Sequence, residues 1–384
     1  MMGRTVRSAA STTQPLSIAH TEASMGWGGQ EIRILTEAAG MRARGHDVSL
    51  FAATGARIID EAPRYGVPVI ALPIGRKRPS GLRAMTRALA RARFDIVNTH
   101  SSTDSWLAAL ACGAFTWRGR KPPALVRTRH VAVPVANNAA TRWLYRQAMV
   151  RTVTTGERLR SQLIDDNGLD PRRVDSIPTG IDGSKYGARS KAEARAKLGL
   201  PTATPLVGIV ATMRSWKGHR FLIDAMPRLR HREARLVIVG DGEKRAALEQ
   251  QVTGLGLRER VLFAGQHRDV SDWLAALDVF ALPSYANEGV PQALLQAMFA
   301  RVPCVTTDAG AIPEIARDGD TATVVAKENA AELAAGIDLL LHDTQRGAAQ
   351  AGRAYALVAS GYTLDSMLDR MEAAFRQAIA DRDG

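Results

Sequence analysis

Short runs of β-branched residues alternate with helix-periodic stretches along almost the whole chain, and this alternation constrains the fold more than any other feature. A strand, a crossover helix and another strand form the unit of a parallel sheet. In the first half, strands are expected at 15–20, 47–52, 68–72, 95–99, 124–128 and 149–154, with helical stretches between them. A second series runs through 205–211, 235–239, 260–263, 279–282, 303–306 and 321–325. Between the two series lie Val174 to Pro178, then Thr179-Gly180-Ile181-Asp182-Gly183 and a charged stretch ending at Leu200-Pro201. Turn residues concentrate there, which marks a domain junction. The chain is also too long, at 384 residues, for one compact core. The expected fold class is therefore α/β, with two doubly wound, Rossmann-like domains facing across a cleft and a C-terminal helix closing the chain. The expected boundaries are 1–14 for a loose tail, 15–183 and 184–363 for the two domains, and 364–384 for the closing helix, which is apolar at helical spacing from Leu364 to Ile379.

Composition excludes several classes. Cys112 and Cys304, the two cysteines, are far apart and flanked by apolar residues, so a disulfide framework is not expected and a reducing cytoplasm fits. The longest strongly apolar run, Trp106 to Phe115, falls short of the roughly 20 residues that a membrane span needs. The N-terminus lacks the apolar core of a signal peptide. The net charge of +13 is unevenly distributed, with 26 Lys and Arg against 14 Asp and Glu up to Gly183, and near balance beyond. Arg76, Lys77, Arg78, Arg83, Arg87, Arg91 and Arg93 form one basic cluster, and Arg118, Arg120, Lys121, Arg127 and Arg129 a second. Such clusters suit an anionic membrane surface or a phosphorylated partner. No nucleic-acid module signature is present, so nucleic acid is not the expected partner.

In doubly wound sheets ligands bind beyond the carboxyl ends of the strands, so the loops that follow the strands carry the candidate chemistry. The richest is Ser284 to Met298. It places Glu288 in a short loop before a helix that Pro291 is suited to begin, with Gly289 leaving room for close backbone approach. Gln296 lies eight positions on, roughly 9 Å beyond the helix start, and could grip a second part of an extended ligand. After the first strand of the second series, Arg214 and Lys217 stand three apart at a helix mouth. Cations there oppose the helix dipole, which argues for a bound anion such as a diphosphate. Gly28-Gly29 between the first strand and first helix permits close approach to a phosphate or sugar. His100 and His130 each follow a strand of the first domain, and a site role is expected for at least one of them. Gly240-Asp241-Gly242 follows a strand but lacks the third glycine of a dinucleotide fingerprint, so nicotinamide chemistry is disfavoured. No metal-ligand spacing, P-loop or nucleophile elbow occurs, and no metal or cofactor is expected.

Taken together, Gly28-Gly29-Gln30-Glu31, Thr128-Arg129-His130, Pro178 to Asp182, Arg214-x-x-Lys217-Gly218, Val237 to Gly242, Phe263-Ala264-Gly265 and Glu288 to Met298 resemble the retaining GT-B glycosyltransferases of family 4. The resemblance spans nearly the whole chain. It implies transfer of a sugar from a nucleoside diphosphate donor to a hydroxyl of a cell-envelope glycan or glycolipid, of the lipopolysaccharide-core kind, with retention of configuration. The first domain would bind the acceptor and the second the donor. Arg214 and Lys217 would hold the diphosphate, Glu288 the sugar hydroxyls, and Gly289 and Val290 the phosphate through their amides. Gly28, Gly29 and Gly265 would complete the donor site, and His130 would act near the sugar, making His130, Arg214, Lys217 and Glu288 the catalytic set. His100 and Arg129 are acceptor-side candidates. Gln296 stands where the family carries a second glutamate for the ribose, the chief departure. The family needs no metal. The implied location is cytoplasmic, at the inner face of the plasma membrane where that surface is engaged. The rivals are a non-catalytic sugar-nucleotide-binding scaffold and a GT-B epimerase.

Overall fold

The structure is a computed structural model that describes residues 14–117, 119–131, 133–187 and 189–384. The tail expected at 1–14 falls, but for Gln14, outside the described residues, as does Arg118 of the second basic cluster. Thirteen strands form two sheets among the described residues. The first holds β1 (Ser17–Glu22), β2 (Asp47–Ala53), β3 (Val69–Leu72), β4 (Ile96–Thr99), β5 (Ala124–Arg129), β6 (Arg151–Thr154) and β7 (Val174–Ser176), in the order β3-β2-β1-β4-β5-β6-β7. The second holds β8 (Leu206–Val210), β9 (Arg235–Val239), β10 (Val261–Gly265), β11 (Val279–Leu282), β12 (Cys304–Thr306) and β13 (Thr323–Val324), in the order β10-β9-β8-β11-β12-β13. The pairings within each sheet are parallel, as βαβ crossovers require. The chain is thus a two-sheet α/β protein of the expected class. It ends in the helix Leu364–Asp383.

A parallel strand covered on both faces is buried along its length, as Val-Phe-Ala-Leu of β11 and Ile-Val-Asn-Thr of β4 are, and in β11 this reads as a continuous apolar run. By their internal contacts the described residues separate into two compact units. One comprises those up to Gly26, Ile34–Leu125 and Ala378–Gly384. The other comprises Trp27–Arg33 and Val126–Gln377. The core of the second unit gathers Ile209, Leu222, Phe280, Leu294 and Ile337 around the second sheet. In β8, Gly208 is needed for packing, because a β-carbon there would lie 2.5 Å from both Leu277 methyls. Strand order reverses between β8 and β11, so the loops leaving those two strands open the switch point of this sheet. Among the described residues no helix is long and apolar enough to cross a membrane.

Candidate active site

The loop leaving β8 is shaped by glycines of its neighbour. Ala211 and Met213 donate their N–H groups to Val239 and Asp241, at 3.0 and 2.9 Å. That closeness needs Gly240, at φ +138°, because any β-carbon there would overlap the Ala211 carbonyl. Gly240-Asp241-Gly242 therefore serves loop packing. The chain then makes a short 3₁₀ turn, Ser215–Lys217, and leaves it through Gly218 at φ +75°. A side chain at Gly218 would overlap the carbonyl of Pro283, which follows β11. The amide of Tyr285 donates to the Trp216 carbonyl at 2.9 Å and ties the two loops together.

This tie brings Lys217 to Glu288, 71 positions away in sequence. Lys217 Nζ lies 2.6 Å from one carboxylate oxygen of Glu288 and 2.9 Å from the other. Ser284 Oγ donates to the nearer oxygen at 2.6 Å. Glu288 is 4% exposed, so the ion pair and this hydroxyl stand in for most of its hydration. Arg214 takes another course. Its guanidinium is exposed and lies over the Trp216 ring, 5.1 Å from the centroid, with no carboxylate partner among the described residues. The two cations thus have different immediate partners, and Arg214 is the more available to an incoming anion.

The Glu288 loop is held from beneath. Asn287 adopts φ +59°, and the Glu288 carbonyl accepts from Ala311 N at 3.0 Å. Gly310, at φ +56°, has its α-carbon so close to Glu288 that a β-carbon would overlap that carbonyl. The Val290 amide donates to the Thr155 carbonyl at 3.2 Å, so it is engaged by the protein itself. A β-carbon on Gly289 would overlap Thr155 Oγ1 and come within 3.3 Å of the His130 carbonyl. Pro291 caps the helix Gln292–Phe299, which carries half-buried Gln296 on its second turn. Gly28 and Gly29 come beside these loops: β-carbons on them would sit 3.6 Å from Thr212 Oγ1 and 3.4 Å from Gln292 Oε1. Both are ordinary contacts, so protein packing does not itself demand glycine at either position. Gly265 ends β10 at φ +76°, and its carbonyl accepts from Gly240 N at 2.7 Å.

His130 follows β5 and is partly accessible. Burial of its ring, reinforced by Arg33, Arg127 and Arg129, holds its pKa well below the usual 6.5. The imidazole is therefore neutral at physiological pH and can both donate and accept. Arg33 is fully buried and donates to the Ile177 carbonyl at 2.7 Å. Arg129 donates to Tyr145 Oη at 2.9 Å and to the Val133 carbonyl at 2.6 Å, and Arg127 is buried, its guanidinium 5.4 Å from the Tyr145 ring. Lys121 pairs with Asp383 at 2.8 Å. Of the described members of the second basic cluster, Arg127 is thus buried, and Arg129 and Lys121 are engaged by partners within the protein. Within the other unit, His100 is buried with its Nε2 2.9 Å from His20 Nδ1, and its amide donates to Asp104 at 2.9 Å.

A lysine–glutamate pair between two loops at a sheet switch point, flanked by an exposed arginine and glycines, can bind a doubly charged oxygen cluster beside a hydroxylated group. Residues 27–185 match the family described as Glycosyltransferase Family 4, and residues 204–343 match that described as Glycosyl transferases group 1. The chain belongs to the family 4 glycosyltransferases. The D-inositol 3-phosphate glycosyltransferase of Nocardia farcinica is 28% identical, across 93% of this chain and 87% of its own. Its Mycobacterium marinum counterpart is 28% identical, across 92% and 82%. Among solved structures, a glycosyltransferase of Rickettsia africae superposes with a TM-score of 0.83 at 18% identity, covering 96% of this chain and 99% of the other. Anabaena HepE in complex with UDP-glucose does so at 0.83 and 22%, covering 94% and 100%.

Three residues that hold the candidate site or its supports escape sequence reasoning. Ser284 stands inside the motif, but nothing in its spacing shows that it would turn onto Glu288. Thr155 follows β6 in a run of threonines with no distinguishing pattern. Glu314 sits in a further loop, and its carboxylate accepts from the amides of Glu157 and Arg158 at 2.9 and 3.0 Å, capping the helix Glu157–Asp165. Burial raises the Glu314 pKa above 4.5 despite those two bonds.

Proposed function

We propose that this glycosyltransferase moves a sugar from a nucleoside diphosphate sugar to a hydroxyl of a cell-envelope glycan or glycolipid, with retention at the anomeric carbon. The observation that carries the reading is the Lys217–Glu288 pair, held by Ser284, between the two loops at the second sheet's switch point. An entering diphosphate would take Arg214 and share Lys217. As the nucleoside diphosphate departs, these cations offset its growing charge, the largest electrostatic demand of such a transfer. Glu288, relieved of part of its ion pair, can accept from sugar hydroxyls. Neutral His130 can hydrogen-bond the sugar without adding positive charge beside the forming oxocarbenium. Gln296 can accept from one ribose hydroxyl and donate to another. The Anabaena structure, which holds UDP-glucose, supports a sugar nucleotide as donor.

The names of the relatives favour a second reading of the acceptor. Inositol 3-phosphate glycosyltransferases similar across 93% of this chain point to a phosphorylated cyclic polyol, which also meets the hydroxyl requirement.

Thermal shift against UDP-, GDP- and ADP-sugars tests the donor: one should raise the Tm by mass action, and a null result with all three would remove the reading. Donor turnover should fall at least a hundredfold in Glu288→Ala, in line with losing a group that contacts the reacting sugar. Proton NMR of the product, read at the anomeric coupling, decides retention, and inositol phosphate supplied against a lipid-linked glycan decides the acceptor.

A further inference from the structure

We propose that the first unit carries a docking face for an anionic lipid bilayer, formed by two adjacent helices, one cationic and one apolar. The helix Pro79–Arg91 contains no acidic residue. It buries Gly81, Met85, Ala88 and Leu89 and leaves Arg83, Arg87 and Arg91 exposed. Spaced four apart, these three lie within about 80° of helix circumference. Arg76, Lys77 and Arg78 stand exposed immediately before it. None of the six has a carboxylate partner among the described residues, whereas most other surface arginines of the chain are ion-paired or bonded to carbonyls.

The neighbouring helix Ser102–Trp117 supplies the apolar half. Its one charged residue, Asp104, is buried. The two helices pack through Gly81, where a β-carbon would sit 3.4 Å from Leu107. Trp106, Leu110, Gly113 and Trp117 recur at steps of four, three and four, and so share one face. Leu110 is 47% exposed and Trp117 86%. Half-buried Trp106 joins the two halves, with Lys77 Nζ 5.4 Å from its ring centroid. A soluble domain gains nothing by leaving an apolar stripe uncovered beside a row of unpaired cations. A bilayer interface accommodates both, since tryptophan settles at headgroup depth and arginine meets lipid phosphate. Charge complementarity selects an anionic surface. Nucleic acid fits less well, because Leu110 and Gly113 between the two tryptophans give bases neither a stacking surface nor a side-chain hydrogen bond.

Co-sedimentation of the full chain with phosphatidylcholine vesicles, with and without phosphatidylglycerol, tests the proposal. Binding should require phosphatidylglycerol and weaken in high salt. Replacing Arg83, Arg87 and Arg91 together by Gln should lower partitioning about a hundredfold, from the attraction each cation contributes. Trp117→Ser should weaken it further. All four positions are exposed, so the variants should keep the wild-type Tm, which calorimetry checks. Retained vesicle binding by the triple variant, equal binding to neutral vesicles, or binding of an oligonucleotide but of neither vesicle would each overturn the proposal.

Discussion

Replacing Lys217 by Met keeps the aliphatic stem and removes only the ammonium, which makes it a clean probe of the loop pairing. The Glu288 side chain is 6% exposed and that of Lys217 20%. Without the ammonium, Glu288 retains Ser284 as a hydrogen-bond donor and has little access to water. An orphaned buried polar group costs about 1–3 kcal/mol, more when ionised. Breaking a fully buried pair costs about 3–5 kcal/mol, but Lys217 keeps part of its hydration, so about 2–3 kcal/mol is expected. Glu288→Gln removes the charge instead and should cost about 1–2 kcal/mol. In Lys217→Met/Glu288→Gln no charge is left unpaired, so the double variant should be more stable than the sum of the two losses by about 1–2 kcal/mol. Calorimetry and urea denaturation of the four proteins close the cycle. Donor should stabilise the wild type and do so far less in Lys217→Met. A coupling energy below about 0.5 kcal/mol would show that the contact is not an energetic unit, and the account of the site would fail with it.

Two further outcomes follow from the loops beneath the pair. Gly310→Ala places a methyl group on the Glu288 carbonyl and asks alanine to hold φ +56°; it should cost about 2–4 kcal/mol by urea denaturation, from the left-handed backbone and the overlap together, and lower donor turnover more than Gly113→Ala, whose added β-carbon meets nothing. Glu314, with a raised folded pKa, binds its proton more tightly in the native state, so its contribution to stability falls as pH climbs from 4.5 through that pKa. Glu314→Gln should remove this slope, and urea midpoints measured across the window should show wild type losing ground to the variant as pH rises.

The alternation of apolar runs located the strands to within a few residues: 235–239 and 279–282 coincide with β9 and β11, whereas 321–325 shrinks to Thr323–Val324. Strand interiors are legible because burial on both faces forces a local composition. Ends are set by neighbours, as at β10, where the ladder shifts register and runs on to Gly265. The switch-point loops were legible for the same reason, since they must follow strands. The partners their side chains take there were not. Arg214 and Lys217 are three apart and read as a pair at one helix mouth, but their spacing does not show that Gly218 and Tyr285 hold Lys217 on Glu288 while Arg214 lies over Trp216. Arg129 reads as an open cation but donates to Tyr145 and the Val133 carbonyl. The Lys217–Glu288 pair joins residues 71 apart in the chain and the Arg129–Tyr145 bond residues 16 apart, and no local spacing encodes either.

Gly218, Gly240 and Gly310 each bring main chain so near another carbonyl that no larger residue fits. The scaffold around the pair is therefore fixed by backbone against backbone, with no side chain to trim or swap. A descendant of this enzyme that learned to use a different donor would change side chains on these loops while these three positions stayed as they are. Random mutagenesis followed by selection for wild-type stability and transferase activity together should recover the same three glycines in most survivors.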